Sequence, residues 1–345
     1  MTAEGVPTPP FLTALAALSA RLGSDRDLVQ GAGGNTSLKR DGALWVKASG
    51  TWLSAALDRP IFVGLDLAEV LRRLEAGEAE PAMPARLDPD FPLRPSIETT
   101  LHALLPHRVV LHVHSVNTIA YAIREDGPAL LAERLAGLRW AWVPYARPGL
   151  PLTRAVQAVL GGAPDVLVLG NHGLVVGGDD ERAAEALLET VEARLALPAR
   201  PAPAPDEARL ARLAEASGGR YRPAAIGAAH DAATDPHSLA MAGKGAFYPD
   251  HTVFLGTSPV PTPSFNAAMA RVGEGGPALL LVEGVGALLR ADLTAGAEEM
   301  AACLGLVLAR VAPEAPLTVL DASQEAELLD WDAEKYRQSL NRAPG

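Results

Sequence analysis

Three histidines carry the clearest chemical signal in the chain. His112 and His114 stand in Leu111-His112-Val113-His114-Ser115, and His172 in Asn171-His172-Gly173. Alternate residues of a strand face one side, so an HxH pair on a strand presents two imidazoles together. A third imidazole at a separate strand-end turn closes a three-nitrogen site. Three His ligands with an open position is the arrangement of a catalytic divalent ion, most often zinc, although cobalt, manganese, iron or nickel suit the same nitrogens. The other histidines, His102, His107, His230, His237 and His251, share no such spacing and read as surface groups or as supports behind the ligands.

Glu98 lies upstream of the pair, in the first turn of an expected helix. An acid there favours the helix N-terminus. Beside a divalent ion and a bound carbonyl compound it could instead move a proton on carbon, or serve as a fourth ligand when substrate is away. Gly31-Ala32-Gly33-Gly34-Asn35-Thr36-Ser37 is a glycine-rich turn. It has Thr36 where a dinucleotide fingerprint needs glycine, and it lacks the Gly-Lys-Ser/Thr ending of a nucleotide-triphosphate loop. A backbone nest with Asn35 and Ser37 beside it is still an anion cradle. Ser49, Gly50 and Ser96 add donors, the last at a helix start. Lys39 and Lys47 flank the loop and read equally well as solvated strand ends.

The elements that must hold these groups follow from periodicity and turn residues. Helices are expected over Phe11–Leu22, Leu67–Ala76, Leu130–Leu138, Leu152–Leu160 and Glu181–Leu197, with a short helical lead-in at Asp25–Gln30. Another helix opens at Pro95-Ser96 and runs to Leu105, and Val116–Ile123 is helical. Strands are expected over Leu44–Ala48, Ile61–Leu65, Arg108–His114, Trp140–Val143, Val166–Leu169 and Leu174–Val176. Leu87–Pro95 reads as a loop. Pro198–Pro205 (PARPAPAP) reads as an extended linker. It separates residues 1–197 from a lobe at 206–345, in which Leu279–Glu283 and Ala287–Arg290 form a strand–turn–strand before a helix at Thr294–Arg310. This lobe echoes the first: Gly173 aligns without gaps on Gly286, Asp179 on Asp292, Ala184 on Ala297 and Glu185 on Glu298. His172 falls on Val285, so a degenerate repeat here would hold no metal.

Composition limits the partners. The 345 residues are 48% hydrophobic and 21% charged, enough for a packed core, and the net charge is −11. An acidic chain lacks the basic footprint of a nucleic-acid or anionic-membrane binder, so neither is expected as a partner. A local cationic pocket is compatible with that balance. The single cysteine, Cys303, lies in an Ala/Leu-rich helical stretch and is expected to pack in a core. Met1–Pro10 shows no signal-peptide pattern, no apolar run reaches a membrane span, and a cytoplasmic protein is expected.

Taken together, GGNTSLK (Gly33–Lys39), KASGTWL (Lys47–Leu53), PSIE (Pro95–Glu98), HVHS (His112–Ser115) and GNHGLVV (Gly170–Val176) resemble the class II aldolase/adducin family, in family order. The later segments GAFYPDHTVFLG and DWDAEKYRQSL resemble the aldolase region of long bacterial rhamnulose-phosphate aldolase-like proteins, here without a following dehydrogenase domain. The resemblance implies a three-layer α/β/α fold around a mostly antiparallel sheet. It implies a divalent metal, Zn2+ foremost, held by His112, His114 and His172, with Glu98 as acid/base. It implies phosphate binding by Gly34, Asn35, Ser49, Gly50 and Ser96, and homo-oligomers, usually tetramers. The implied activity is a lyase that cleaves a small ketose phosphate or hydroxy-keto compound through a metal-stabilised enediolate.

Two positions depart from the sugar-phosphate aldolase pattern. Ser96-Ile97 stands where two consecutive serines are common, and neither Tyr121 nor Tyr145 matches the tyrosine that protonates the leaving aldehyde. Dehydration, epimerisation or decarboxylation at the same metal and glutamate therefore stays open, as does a non-catalytic adducin-like interaction role.

Overall fold

The run Val109–Val113, apolar but for His112, forms the strand around which the first of two units is built. The computed structural model describes residues 8–257, 260–262, 267, 270 and 276–329; the DWDAEKYRQSL segment lies outside the described residues. By internal contacts the chain divides into Met1–Thr118 with Pro128–Leu195, and Ile119–Gly127 with Ala196–Gly345.

The first unit holds β1 (Asn35–Arg40), β2 (Ala43–Lys47), β3 (Phe62–Asp66), β4 (Val109–Val113), β5 (Trp140–Val143), β6 (Val166–Leu169) and β7 (Gly173–Gly178) in one sheet of order β3-β2-β1-β4-β7-β6-β5. All neighbours are antiparallel except β5 and β6, which are joined by a helix and run parallel. The helices are α1 (Thr13–Ser24), α2 (Leu67–Glu75), α3 (Thr99–Leu104), α4 (Val116–Ala122), α5 (Gly127–Arg134), α6 (Leu150–Val159) and α7 (Glu181–Leu195), α4 and α5 straddling the division.

Strand alternation sorts the layers. Ser37 pairs with Val110 and bonds His102 of α3, while Val110 packs with Leu101, Leu152 and Val156 of α3 and α6. Thr36 pairs with Leu111 on the opposite face, where its hydroxyl meets Ser19 of α1, and α1 is tied to α7 by Arg21 and Glu185. The mixed α/β, three-layer, mostly antiparallel architecture expected from the sequence is the one observed. Differences lie at the ends of elements and in two short segments. β1 was not expected at all. Asp25–Gln30 is a hydrogen-bonded turn rather than a helix, α3 begins at Thr99 rather than Ser96, and the helix expected at Leu130–Leu138 sits at Gly127–Arg134.

The second unit contains α8 (Glu207–Ala216), β8 (Tyr221–Pro223), α9 (Ala228–Thr234), α10 (Pro236–Ala242), α11 (Pro249–Leu255), β9 (Val260–Thr262), β10 (Leu279–Val282), β11 (Gly286–Arg290), α12 (Ala295–Arg310) and α13 (Ala322–Leu329) among the described residues. Its sheet order is β8-β11-β10-β9, with β9 and β10 parallel and the other pairs antiparallel. That repeats the order and directions of β4-β7-β6-β5, and a helix follows β11 as α7 follows β7. Cys303 is buried in α12, as expected. The Pro198–Pro205 stretch carries no helix or strand. Arg200 within it donates to Leu308 O and the Asp235 carboxylate, both at 2.8 Å, joining the end of α12 to the cap of α10. No described helix is long and apolar enough to cross a membrane.

Candidate metal centre

His112 is the fourth residue of β4 and faces the same side as Val110. Its Nδ1 lies 3.0 Å from Leu174 O in the neighbouring β7. A carbonyl can only accept, so Nδ1 carries a proton and Nε2 faces the Glu98 carboxylate. His114 lies one residue beyond the strand on the same face. His172 comes from the tight β6–β7 turn, where Asn171 adopts φ 51°, a left-handed conformation asparagine tolerates, and His172 N donates to Leu169 O at 3.1 Å. The ring centroids are 5.0, 5.0 and 5.2 Å apart, a nearly equilateral triangle, and one ring nitrogen of each lies within 4.8 Å of the others. All three histidines are buried.

Two glycines make room for the rings. A Cβ on Gly173 would lie 2.6 Å from Val113 O and within 3.4 Å of the His112 and His114 rings. A Cβ on Gly33 would lie 2.8 Å from His114 Nδ1.

Glu98 caps α3 from the position before its first residue and turns its carboxylate into the triangle. Oε2 is 3.4 Å from His112 Nε2, and Oε1 is 3.5 Å from His172 Nε2. Asn35, paired with His112 across the sheet, donates its amide to Glu98 Oε2 at 2.7 Å. Oε1 is buried and makes no hydrogen bond among the described residues. Burial pushes the Glu98 carboxyl up, but the fields of His112, His172, His114 and His102 outweigh it and hold it at about 2. Three clustered imidazole nitrogens beside a buried carboxylate form a nitrogen–oxygen donor set of the kind that holds a divalent cation.

The expected anion-binding residues gather beside this centre. Ala48 bridges Pro95, Ser96 N donates to Lys47 O and Ser49 N to Arg94 O, so Ser49-Gly50 and Ser96 are neighbours. The Ser96 hydroxyl accepts from Glu98 N at 3.2 Å. Gly34, at φ 64°, leads into Asn35. Lys47 is no solvated strand end. It is 1% exposed, and its amine donates to Ala32 O and Gly34 O at 2.8 Å each. Lys39 is half-buried and bonds Leu105 O, and burial lowers its amine to about 8.

The remaining histidines divide clearly. His102 is buried behind Glu98, its Nδ1 2.7 Å from Ser37 Oγ. Burial, with the His112 field next, lowers it to about 3. His107 pairs with Asp165 at 2.8 Å. In the second unit His237 is exposed, whereas His230 and His251 are buried, so neither of those two is a surface group.

The sequence model of the Class II Aldolase and Adducin N-terminal domain matches residues 13–197, more than half of the chain. The chain belongs to this family. A stretch of 175 residues is 34% identical to the Uncharacterized oxidoreductase YuxG of Bacillus subtilis (strain 168), covering 46% of this chain and 25% of that protein. The chain therefore spans about a quarter of that relative's length. Similar solved structures include the N-terminal class II aldolase domain of a conserved protein from Thermoplasma acidophilum. It is 27% identical, with 56% of this chain and 97% of that chain covered and a TM-score of 0.48. The L-fuculose-1-phosphate aldolase of Thermus thermophilus is 17% identical, with 53% and 92% covered and a TM-score of 0.36.

Proposed function

We propose that this class II aldolase family member is a divalent-metal-dependent carbon–carbon lyase acting on a small ketose phosphate or related hydroxy-keto compound. One observation carries the reading: the Glu98 carboxylate reaches into the His112–His114–His172 triangle, within 3.5 Å of two imidazoles. The three histidines hold the ion, Zn2+ foremost. When bound, the ion supplies Lewis-acid polarisation of a carbonyl oxygen. Glu98, held as a carboxylate, takes up and returns a proton at the adjacent carbon. Asn35 keeps one carboxylate oxygen fixed, so that the other does the transfer. Gly34, Ser49, Gly50 and Ser96 receive the anionic end of the substrate, with Asn35 at their edge.

The second unit enters the proposal as a degenerate repeat without metal. Pairing registers give the correspondence: His112 faces Val175, and Pro223 faces Leu288, the residue that aligns on Val175. Pro223, Ala225 and Val285 thus replace the three ligands. The histidine that does lie there, His230, accepts from Ala287 N at 3.0 Å through Nδ1 and bonds Ala224 O through Nε2, so both nitrogens serve the backbone. The family likeness extends the proposal to a homo-oligomer in the cytoplasm.

The test is metal analysis followed by product analysis. About one divalent ion per chain, lost in His114→Ala, is expected. Dihydroxyacetone phosphate, or another aldehyde–ketone pair, should appear from a panel of ketose phosphates. Metal binding without cleavage, but with loss of water, inversion at carbon or release of carbon dioxide, would assign the site to dehydration, epimerisation or decarboxylation. The apolar Ile97 beside Ser96 favours those readings over a fully phosphate-lined pocket. Metal-free protein that cannot be loaded would sink the enzyme reading.

A further inference from the structure

Lys47 touches both walls of the proposed anion cradle through its two polar ends. Its amine bonds Ala32 O and Gly34 O, on either side of Gly33, while its carbonyl accepts from Ser96 N at 3.2 Å. Two residues on come Ser49 and Gly50. Leu44 and Val46 of the same strand point into the apolar layer under α2, so Lys47 leaves β2 on the opposite face and reaches the underside of the glycine loop. Burying an ammonium is costly unless it is hydrogen-bonded or faces opposite charge. The Lys47 amine meets the two loop carbonyls, so the side chain ties β2 to the glycine loop.

We infer that Lys47 is a positioning residue of the substrate site: it clamps the Gly31–Gly34 loop from beneath, so that the loop backbone is held in place to receive the substrate's anionic group. The inference rests on the proposed function for the existence of that group. The clamp has a second consequence. The loop it holds sets Gly33 against the His114 ring, with no room for even a methyl group between them. Loop and metal ligand are therefore in fixed register, so that one end of the substrate is anchored a set distance from the ion. An amine that donates to two loop carbonyls acts through the loop.

The experiment uses the full-length, metal-loaded protein with inorganic phosphate as the probe, read by titration calorimetry and by metal content. Wild type should bind phosphate. Lys47→Met, of similar length and no charge, should keep one metal per chain and bind phosphate at least tenfold more weakly. Lys47→Arg should recover affinity relative to Lys47→Met, a rescue that a purely space-filling role does not produce. Equal phosphate affinity in wild type and Lys47→Met overturns the inference while leaving the lyase reading intact. Wild type that holds metal but binds no phosphate overturns the inference and removes the anionic substrate with it. If the methionine variant does not fold, wild type selectively labelled with 15N-glycine decides: phosphate must shift the Gly33 and Gly34 amide resonances, and unmoved resonances refute the inference.

Discussion

A carboxylate that shuttles a proton needs two things set separately, its charge and its direction. At Glu98 the charge is set by the surrounding imidazoles, which overcome the effect of burial. The direction is set by Asn35, whose amide fixes Oε2 and leaves Oε1 turned toward His172. A hydrogen bond to a charged group contributes about 1.5–3 kcal/mol. Asn35→Ala is therefore expected to lower kcat by one to two orders of magnitude while metal content stays at one per chain. Metal analysis beside steady-state kinetics tests this, and an unchanged kcat would show that Glu98 needs no such support. Glu98→Gln goes further. It removes the proton acceptor but keeps the shape, so turnover should fall by at least a thousandfold with the metal retained. Substantial residual turnover would move the proton transfer to another group.

At the scale of the element, the site is a meeting of three strand ends: the end of β4, the β6–β7 turn and the start of β1. Their closeness depends on glycine at two contacts. Gly173→Ala would push a methyl group into Val113 O and bring it into close contact with the His112 and His114 rings. The expected outcome is metal affinity weakened more than tenfold with the far-ultraviolet circular dichroism unchanged, and competition with a chromophoric chelator measures it. Normal affinity would mean that the turn relaxes at no cost. The histidine triangle was legible in the sequence because a period of two on a strand and a strand-end turn are local patterns. Strand β1 was not. Asn-Thr-Ser-Leu-Lys-Arg has a single strongly apolar residue, and its extended form is imposed by β2 and β4 on either side. The burial of Lys47 was illegible for the same reason, since its carbonyl partners belong to a loop that only the assembled sheet brings near. Glu98 was expected inside the first helical turn. It stands one step earlier because Ser96 and Pro95 are held by the bridge to Ala48.

Across the whole molecule, the buried histidines outside the His112–His114–His172 triangle decide the response to acid. His102 in the first unit and His251 in the second are fully buried, and burial is the leading cause that lowers them to about 3 and about 4. Neither ring nitrogen of His251 has a hydrogen-bond partner among the described residues. Both imidazoles are neutral in the folded chain, whereas in the unfolded chain they titrate near 6.5. Between those values the unfolded state holds more protons, so stability rises with pH there and is lost progressively as pH falls from about 6.5 toward 4. Glu98 acts in the same direction lower down: its carboxylate favours the folded state above about 4.5, and that contribution fades toward 2. The melting temperature should thus be level above pH 7 and fall steeply below pH 6, well before ordinary carboxylates titrate. Because each unit contains its own buried imidazole, the two substitutions His102→Gln and His251→Gln should each flatten part of that slope, and together should flatten more of it than either alone. A melting temperature independent of pH from 7 to 5 in the unsubstituted protein would mean that neither imidazole resists protonation as its burial demands.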